Sequence, residues 1–223
     1  MCGRYALHAH PDVVALQFGL AVAPQLRPRY NIAPTQEAPV IRIDAQQNRA
    51  LVLLRWGLVP SWSKDPAIGS RMINARAETA AEKPAFRNAF RHRRCLVPAD
   101  GYYEWKLEGG RKQPYLLQLE SGEPFAMAGL WESWRSLEGE VIESYAILTT
   151  DATGAARQVH DRMPVILAQR DYGSWLSGTE PGALLRPSPG AEFTLRRVST
   201  RLNSPRNDDP ECLDEGGAVH AGG

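Results

Sequence analysis

The chain has 223 residues, of which 43% are hydrophobic and 23% charged, with a formal net charge of +1. That length holds one large domain or two small ones and buries roughly 70–75% of the unfolded chain's surface. The composition excludes collagen, coiled coil and wholesale disorder, and no apolar run approaches the length of a membrane-spanning helix. The near-neutral balance conceals an asymmetry. Residues 1–120 carry 17 Lys/Arg against 10 Asp/Glu, whereas residues 121–223 carry 9 against 15. Arginine outnumbers lysine by 22 to 4. Arg forms bidentate pairs with phosphate and carboxylate, so a basic first half suits an anionic partner, nucleic acid included. GC-rich coding together with internal ion pairs explains the same composition more simply. The three cysteines, Cys2, Cys95 and Cys212, are odd in number and lack metal-ligand spacing. No disulfide framework and no metal site is therefore expected, and the compartment is expected to be reducing.

Residues 11–19 read as a short helix, with Pro11 at its start and Gly19 at its end. The apolar stretch Val13–Ala23 ends in Ala21-Val22-Ala23, as a signal peptide would, but Asp12, Gln17 and Gly19 interrupt it and the helix reading is preferred. Val40–Ile43 and Leu51–Trp56 read as strands joined by a polar turn at Asp44–Asn48. Thr79–His92 reads as one helix with a basic end, Arg91-His92-Arg93-Arg94. Cys95–Val97, Gly101–Leu107, Tyr115–Leu119, Phe125–Trp131, Ile142–Thr149, Val165–Ala168 and Phe193–Val198 read as further strands. Gly109-Gly110 and Ser121–Pro124 mark tight turns, and Asp171–Leu176 spans one or two helical turns. Many closely spaced strands with few helices predict an α+β fold: a single domain of twisted, largely antiparallel, barrel-like β-sheet with peripheral helices. The domain is expected to span 1–214, with a frayed Gly-rich tail at 215–223.

Four residues stand out chemically. Removal of Met1 would leave Cys2 with an α-amine and a thiol on adjacent carbons. The amine titrates near ~8 and the thiol near ~8.5, so roughly a tenth of the amines are neutral at pH 7. The amine attacks an aldehyde to give a Schiff base, and the thiol then closes a five-membered thiazolidine. The same pair could serve as an N-terminal nucleophile for hydrolysis, or Cys2 could be an accident of the start site. Glu104 lies among aromatics in Gly101-Tyr102-Tyr103-Glu104-Trp105. In a strand it shares a face with Tyr102 and Lys106, with Tyr103 and Trp105 opposite. Desolvation there raises a carboxyl pKa toward the general acid/base range, unless a Lys or Arg pairs with it. His160 sits at a loop-to-strand junction suited to an acid/base or a capping His. Asn74, in Ile73-Asn74-Ala75-Arg76, could orient an amine or a sugar oxygen or simply form a turn. Arg4, Arg71, Arg76, Arg87, Arg91, Arg93 and Arg94 interleave with Tyr30, Trp56 and Trp62, as single-strand binding requires; snorkelling Arg and core Trp account for most of these, Trp56 above all.

Six segments occur in order: Met1-Cys2-Gly3-Arg4-Tyr5, Tyr30-Asn31-Ile32-Ala33-Pro34, Trp56-Gly57-Leu58-Val59-Pro60 with Trp62, Ile73–Thr79, Pro98–Trp105 and His160-Asp161-Arg162-Met163-Pro164. Together they strongly resemble the SRAP (SOS-response-associated peptidase-like) family, from Cys2 to about Ser204. The resemblance implies covalent capture of abasic sites in single-stranded DNA. Cys2, freed of Met1, would form a thiazolidine with the opened sugar, and the Schiff-base stage would give some lyase character. Asn74 would position the amine or sugar, Glu104 would move protons, and His160 would assist the Schiff-base steps. Arg4, Arg76 and Arg162 would hold flanking phosphates, and Asn31, Pro34 and Trp62 would form a DNA-facing wedge. Ser63 departs from relatives with a second aromatic after Trp62, and the resemblance gives the Thr200–Asp209 loop no role. No cofactor or metal is implied. The expected protein is a cytoplasmic monomer, nucleoid-associated when on DNA. Competing readings are a thiol peptidase using Cys2, His160 and Glu104, surviving chiefly as autoproteolytic Met1 removal, and a passive single-strand-binding module.

Overall fold

The computed structural model describes residues 2–186 and 192–215. Two sheets organise the fold. The first part of the chain forms β1 (Tyr5–Leu7), helix α1 (Pro11–Phe18) and β2 (Arg29–Ile32). Helix α1 starts at Pro11, ends at Gly19 in the left-handed conformation (φ 64°), and buries Val14 and Phe18, as its sequence punctuation predicts. A hairpin of β3 (Glu37–Ile43) and β4 (Arg49–Trp56) follows. The Asp44 carboxylate closes its turn by accepting the N–H groups of Gln46 and Asn48, the side-chain-to-backbone bonding that favours Asp in turns.

The chain then leaves the sheet and returns as β5 (Asn74–Arg76), which pairs in parallel with β10 (Val141–Asp151). This excursion depends on two glycines. Gly57 has φ +125°, and a Cβ on it would lie 2.5 Å from the Gly69 carbonyl oxygen; the reverse contact is also 2.5 Å. Only a residue without a side chain permits that backbone crossing.

The sequence reads Thr79–His92 as one helix, but the structure has two, α2 (Ala77–Ala80) and α3 (Arg87–His92). Pro84 is the reason: it lacks an N–H, and its ring would clash with the carbonyl four residues earlier. The turn closes instead through Lys83 N–H to Thr79, and the helix restarts after Phe86. The predicted basic end also resolves differently. Arg94 is buried, and its guanidinium donates to the carbonyls of Phe90, Arg91, Trp175 and Gly178. Arg93 pairs with Glu132 at 2.8 Å.

The remaining strands are β6 (Arg94–Ala99), β7 (Gly101–Glu108), β8 (Arg111–Leu119), β9 (Phe125–Arg135), β11 (Arg162–Pro164), β12 (Ile166–Leu167) and β13 (Phe193–Arg197), with helix α4 (Tyr172–Ser177) between β12 and β13. The order β10-β4-β3-β6-β9 closes on itself, because β9 also pairs with β10, giving a five-stranded barrel. Beside it lies a five-stranded antiparallel sheet, β13-β8-β7-β1-β2. The fold is therefore a single α+β domain, as expected. The predicted strand Val165–Ala168 is found as the shorter β12, which pairs with β9; β11 precedes it and pairs with β10. Residues 216–223 of the expected tail lie outside the described residues.

Asp100 is the hinge at which the chain passes from barrel to sheet. Its carboxylate accepts the backbone N–H groups of His8 and Ala9. Barrel and sheet share a core built on Trp56, which is fully buried. Its ring stacks edge-on against Tyr5 with centroids 5.2 Å apart, and its indole N–H donates to Ile73 O at 2.9 Å. The hydroxyls of Tyr5 and Tyr145 meet at 2.7 Å. The first strand of the sheet is thereby locked against the barrel, with the N-terminus of the chain between them.

Because the Gly57–Gly69 crossing leaves no room for a methyl, Gly57→Ala is expected to lower the unfolding free energy by about 2–4 kcal/mol. Urea denaturation of the variant beside wild type measures this; an unchanged midpoint contradicts it.

Candidate functional site

Cys2 precedes β1 and is fully buried. β1 pairs with β7 in the register Tyr5↔Tyr102, and Tyr103 N–H donates to Arg4 O at 3.0 Å. Continuing that register puts Glu104 level with Gly3, beside Cys2. Asn74 reaches the same point from the barrel side: its Nδ2 donates to the carbonyl of Cys2 at 2.8 Å. The structure thus brings together Cys2, Asn74 and Glu104, which lie far apart in sequence.

The electrostatics follow from burial. Desolvation pushes the Cys2 thiol well above its ordinary range, and the neighbouring Glu104 carboxylate adds to the effect. Glu104 is itself 4% exposed, and desolvation raises its pKa from 4.5 to about 7. A carboxyl that exchanges its proton near neutral pH suits general acid/base work.

His160 lies in the loop before β11, at the rim. Its Nδ1 accepts the N–H of Arg162 at 2.9 Å, and the Asp161 carboxylate lies 2.8 Å from the same nitrogen. The backbone donor is fixed, whereas Asp161 is 88% exposed and turns readily in solvent. The neutral ring therefore carries its proton on Nε2. Partial burial lowers the His160 pKa from 6.5, so the neutral ring prevails at neutral pH. The charge of Asp161 also raises the pKa of Glu104, which ties this loop electrostatically to the cysteine.

The six residues expected to face DNA divide into two groups. Trp62 is 60% exposed and Arg76 is exposed. With Asn74, Met72, Lys83 and Phe86 they line a groove of about 470 Å³. Pro34 is half-buried, in a turn whose next residue, Thr35, has φ +71°. Thr35 N–H is held by Trp56 O at 2.8 Å. Such strain in a non-glycine residue is kept only where its surroundings enforce it.

The other three are engaged within the chain. Asn31 is fully buried, and its Nδ2 donates to the carbonyls of Leu202, Ser204 and Asn207. Arg4 donates to Asn31 Oδ1 and Leu202 O and lies over the Trp105 ring. Arg162 pairs with Glu78 and Asp151 and donates to Thr149 O. These contacts give the unassigned 200–209 loop a structural account: Asn31 and Arg4 hold it beneath, the Asp208 carboxylate accepts the N–H groups of Tyr30 and Asn31, and Arg201 pairs with Asp209.

Among the described residues, the buried side-chain atoms Asn74 Oδ1, Tyr102 Oη and Arg162 Nε stand without a hydrogen-bond partner. Asn74 bonds the Cys2 carbonyl and Tyr102 lies two residues from Glu104 on one strand face, whereas Arg162 sits beside Glu78. Buried polar groups are almost always paired, so an orphaned one calls for a particular explanation. Tyr102 escaped sequence reasoning; the signal available was its position two residues from Glu104 on one strand face. Glu78, the partner of Arg162, carried no signal. Among the described residues no cluster of His, Cys, Asp or Glu could hold a metal, and no helix is long and apolar enough to cross a membrane.

The class defined is a barrel-and-sheet domain that buries a cysteine, a carboxyl and an amide at the start of its first strand. Comparison with known proteins agrees with it. The family model described as SOS response associated peptidase (SRAP) matches residues 1–205. Abasic site processing protein YoqW of Bacillus subtilis is 41% identical, covering 96% of this chain and 99% of its own. Abasic site processing protein HMCES of Gallus gallus is 36% identical over 84% of this chain and 66% of its own. A crystal structure of a protein from Bacteroides thetaiotaomicron superposes with a TM-score of 0.84 at 28% identity, covering 96% of this chain and 100% of that one. The chain belongs to the SRAP family.

The Glu104 carboxyl makes stability depend on pH. Between pH 4.5 and about 7 the folded chain keeps a proton that the unfolded chain releases, so its contribution falls as pH rises through that window. Glu104→Gln removes this loss. Relative to wild type, the variant is expected to gain on the order of 2–3 kcal/mol between about pH 4 and about pH 8, read by urea unfolding at both values; a pH-independent difference contradicts the raised pKa.

Proposed function

We propose that this chain processes abasic sites in DNA, capturing the opened sugar of a single-stranded lesion through Cys2 after removal of Met1. Met1 itself lies outside the described residues. The observation that carries the proposal is the meeting of Asn74 and Glu104 at a fully buried Cys2. The names of the YoqW and HMCES relatives support the abasic site as the substrate.

The chemistry assigns one task to each group. The freed α-amine of Cys2 attacks the sugar aldehyde, and loss of water gives a Schiff base. Asn74 grips the Cys2 carbonyl through Nδ2, which leaves Oδ1 to accept a proton from the amine or the opened sugar. Glu104, poised near neutral pH, takes and returns protons as water leaves and the ring closes. The Nε2 proton of His160 serves the sugar hydroxyl. The thiol then adds to the Schiff-base carbon to form the thiazolidine. Reversal at the Schiff-base stage would give the lyase character.

Trp62 and Arg76 are assigned direct DNA contacts at the groove, where a flat indole and an exposed guanidinium receive an unstacked base and a phosphate, and Pro34 is assigned to the wedge with Trp62. Arg4, Asn31 and Arg162 act beside them by fixing the 200–209 loop and the Glu78 edge, and Arg162 retains Nε for a phosphate oxygen. One chain carries every group the reaction uses, so a monomer suffices.

Cys2→Ser separates capture from binding. It is expected to abolish the heat-stable adduct with an abasic oligonucleotide, while salt-sensitive non-covalent affinity stays within about threefold of wild type. Denaturing gels read the first and fluorescence anisotropy across a salt series reads the second. A heat-stable adduct formed by the serine variant contradicts the proposal.

A further inference from the structure

Cys2, Tyr5, Tyr102 and Tyr145 are all buried in the main core, and the charge of Cys2 bears on the ionisation of each tyrosine. The hydroxyls of Tyr5 and Tyr145 satisfy one another. Tyr102 is different. It is fully buried, its ring meets Phe193 edge-on at 6.0 Å, and its hydroxyl has no hydrogen-bond partner. Its strand neighbours offer none: it stands opposite Tyr5 on β1 and Leu117 on β8. The polar groups facing it are the Cys2 thiol and the Glu104 carboxyl, whose charges both bear on its ionisation. A buried phenol without a partner is costly, because its desolvation goes uncompensated. That cost is recovered if the hydroxyl meets an acceptor that appears only during the reaction.

We propose that the Tyr102 hydroxyl donates a hydrogen bond to the Cys2 sulfur as the thiazolidine closes, and so accelerates that step. The inference rests on the capture chemistry proposed above. In the step itself, the thiol proton passes to the Glu104 carboxylate. Sulfur bonds to the Schiff-base carbon, and the π pair of the C=N bond returns to nitrogen. Tyr102 keeps its proton throughout. It stabilises the negative charge that sulfur carries between losing its proton and forming its bond, in a place where burial strongly disfavours that charge. Tyr102 is thus a catalytic residue for the second half of the reaction and not for Schiff-base formation.

The test uses the full chain freed of Met1 and formaldehyde as the probe. Formaldehyde converts an N-terminal cysteine into a thiazolidine one carbon heavier, without any need for DNA. Borohydride quenching traps the Schiff-base stage as the N-methyl amine, and intact-mass spectrometry separates the species over time. Tyr102→Phe retains the ring and its packing on Phe193. The variant is expected to form the borohydride-trapped species at the wild-type rate and to close the ring about tenfold or more slowly. A merely structural role would leave the ratio of the two stages unchanged. Ring closure at the wild-type rate overturns the inference, as does an equal slowing of both stages. The two readings fail separately: a wild-type chain that closes on formaldehyde but not on an abasic oligonucleotide contradicts the DNA proposal alone, and the Tyr102 comparison still stands.

Discussion

The site depends on one hydrogen bond between two parts of the fold, from Asn74 Nδ2 to the Cys2 carbonyl. Residues at a chain terminus fray unless something ties them down, and a nucleophile that frays cannot be aimed. Here the tie comes from the barrel. Asn74 stands on β5, held in parallel pairing against Ile147 of β10. The chain reaches β5 only by passing through the Gly57–Gly69 crossing. On the opposite side, β1 is fixed to β7 by its register and to the barrel core through Tyr5, Trp56 and Tyr145. Cys2 is therefore clamped between the two halves of the domain, and a change at Gly57 acts on it through β5 and Asn74.

That clamp excludes water, and the exclusion sets the chemistry. Burial holds the Cys2 thiol in its neutral form, lifts Glu104 to about 7 and depresses His160. The thiol and the imidazole favour their uncharged forms near neutral pH, and Glu104 is divided between acid and carboxylate there. Proton transfer between such groups needs little reorganisation, whereas an isolated charge would be costly there. The surrounding arginines do not simply form a positive field. Arg4, Arg29, Arg42, Arg93, Arg94 and Arg162 each have carboxylate or carbonyl partners within the chain. Part of the arginine excess thus goes into internal pairs, and Arg76 stands at the groove wall.

Much of the site was legible in the sequence, for particular reasons. Glu104 advertised itself as a carboxylate among aromatics on a strand. Asn74 and His160 stood in short segments that match the family pattern. Helix α1 and the β3–β4 and β7–β8 hairpins followed from Pro11, Gly19, Asp44 and Gly109-Gly110. What remained hidden depended on partners distant in sequence. β1 and β5 are three residues long, too short to carry a period, and form because neighbouring strands accept them. Barrel closure needs the parallel pairing of β10 with β4, which no local pattern encodes. The break at Pro84 stood in the sequence, inside the stretch read as one helix. Asn31 and Arg162 looked like surface contacts until the 200–209 loop and Glu78 were placed against them.

The central claim is that Cys2 condenses with the sugar of an abasic site. Intact-mass spectrometry of the chain freed of Met1, incubated with a single-stranded oligonucleotide carrying one abasic site, tests it most directly. The account predicts a heat-stable adduct one water lighter than the sum of protein and DNA, mapping to Cys2. Complete loss of Met1 with no adduct, or an adduct attached elsewhere, would contradict it.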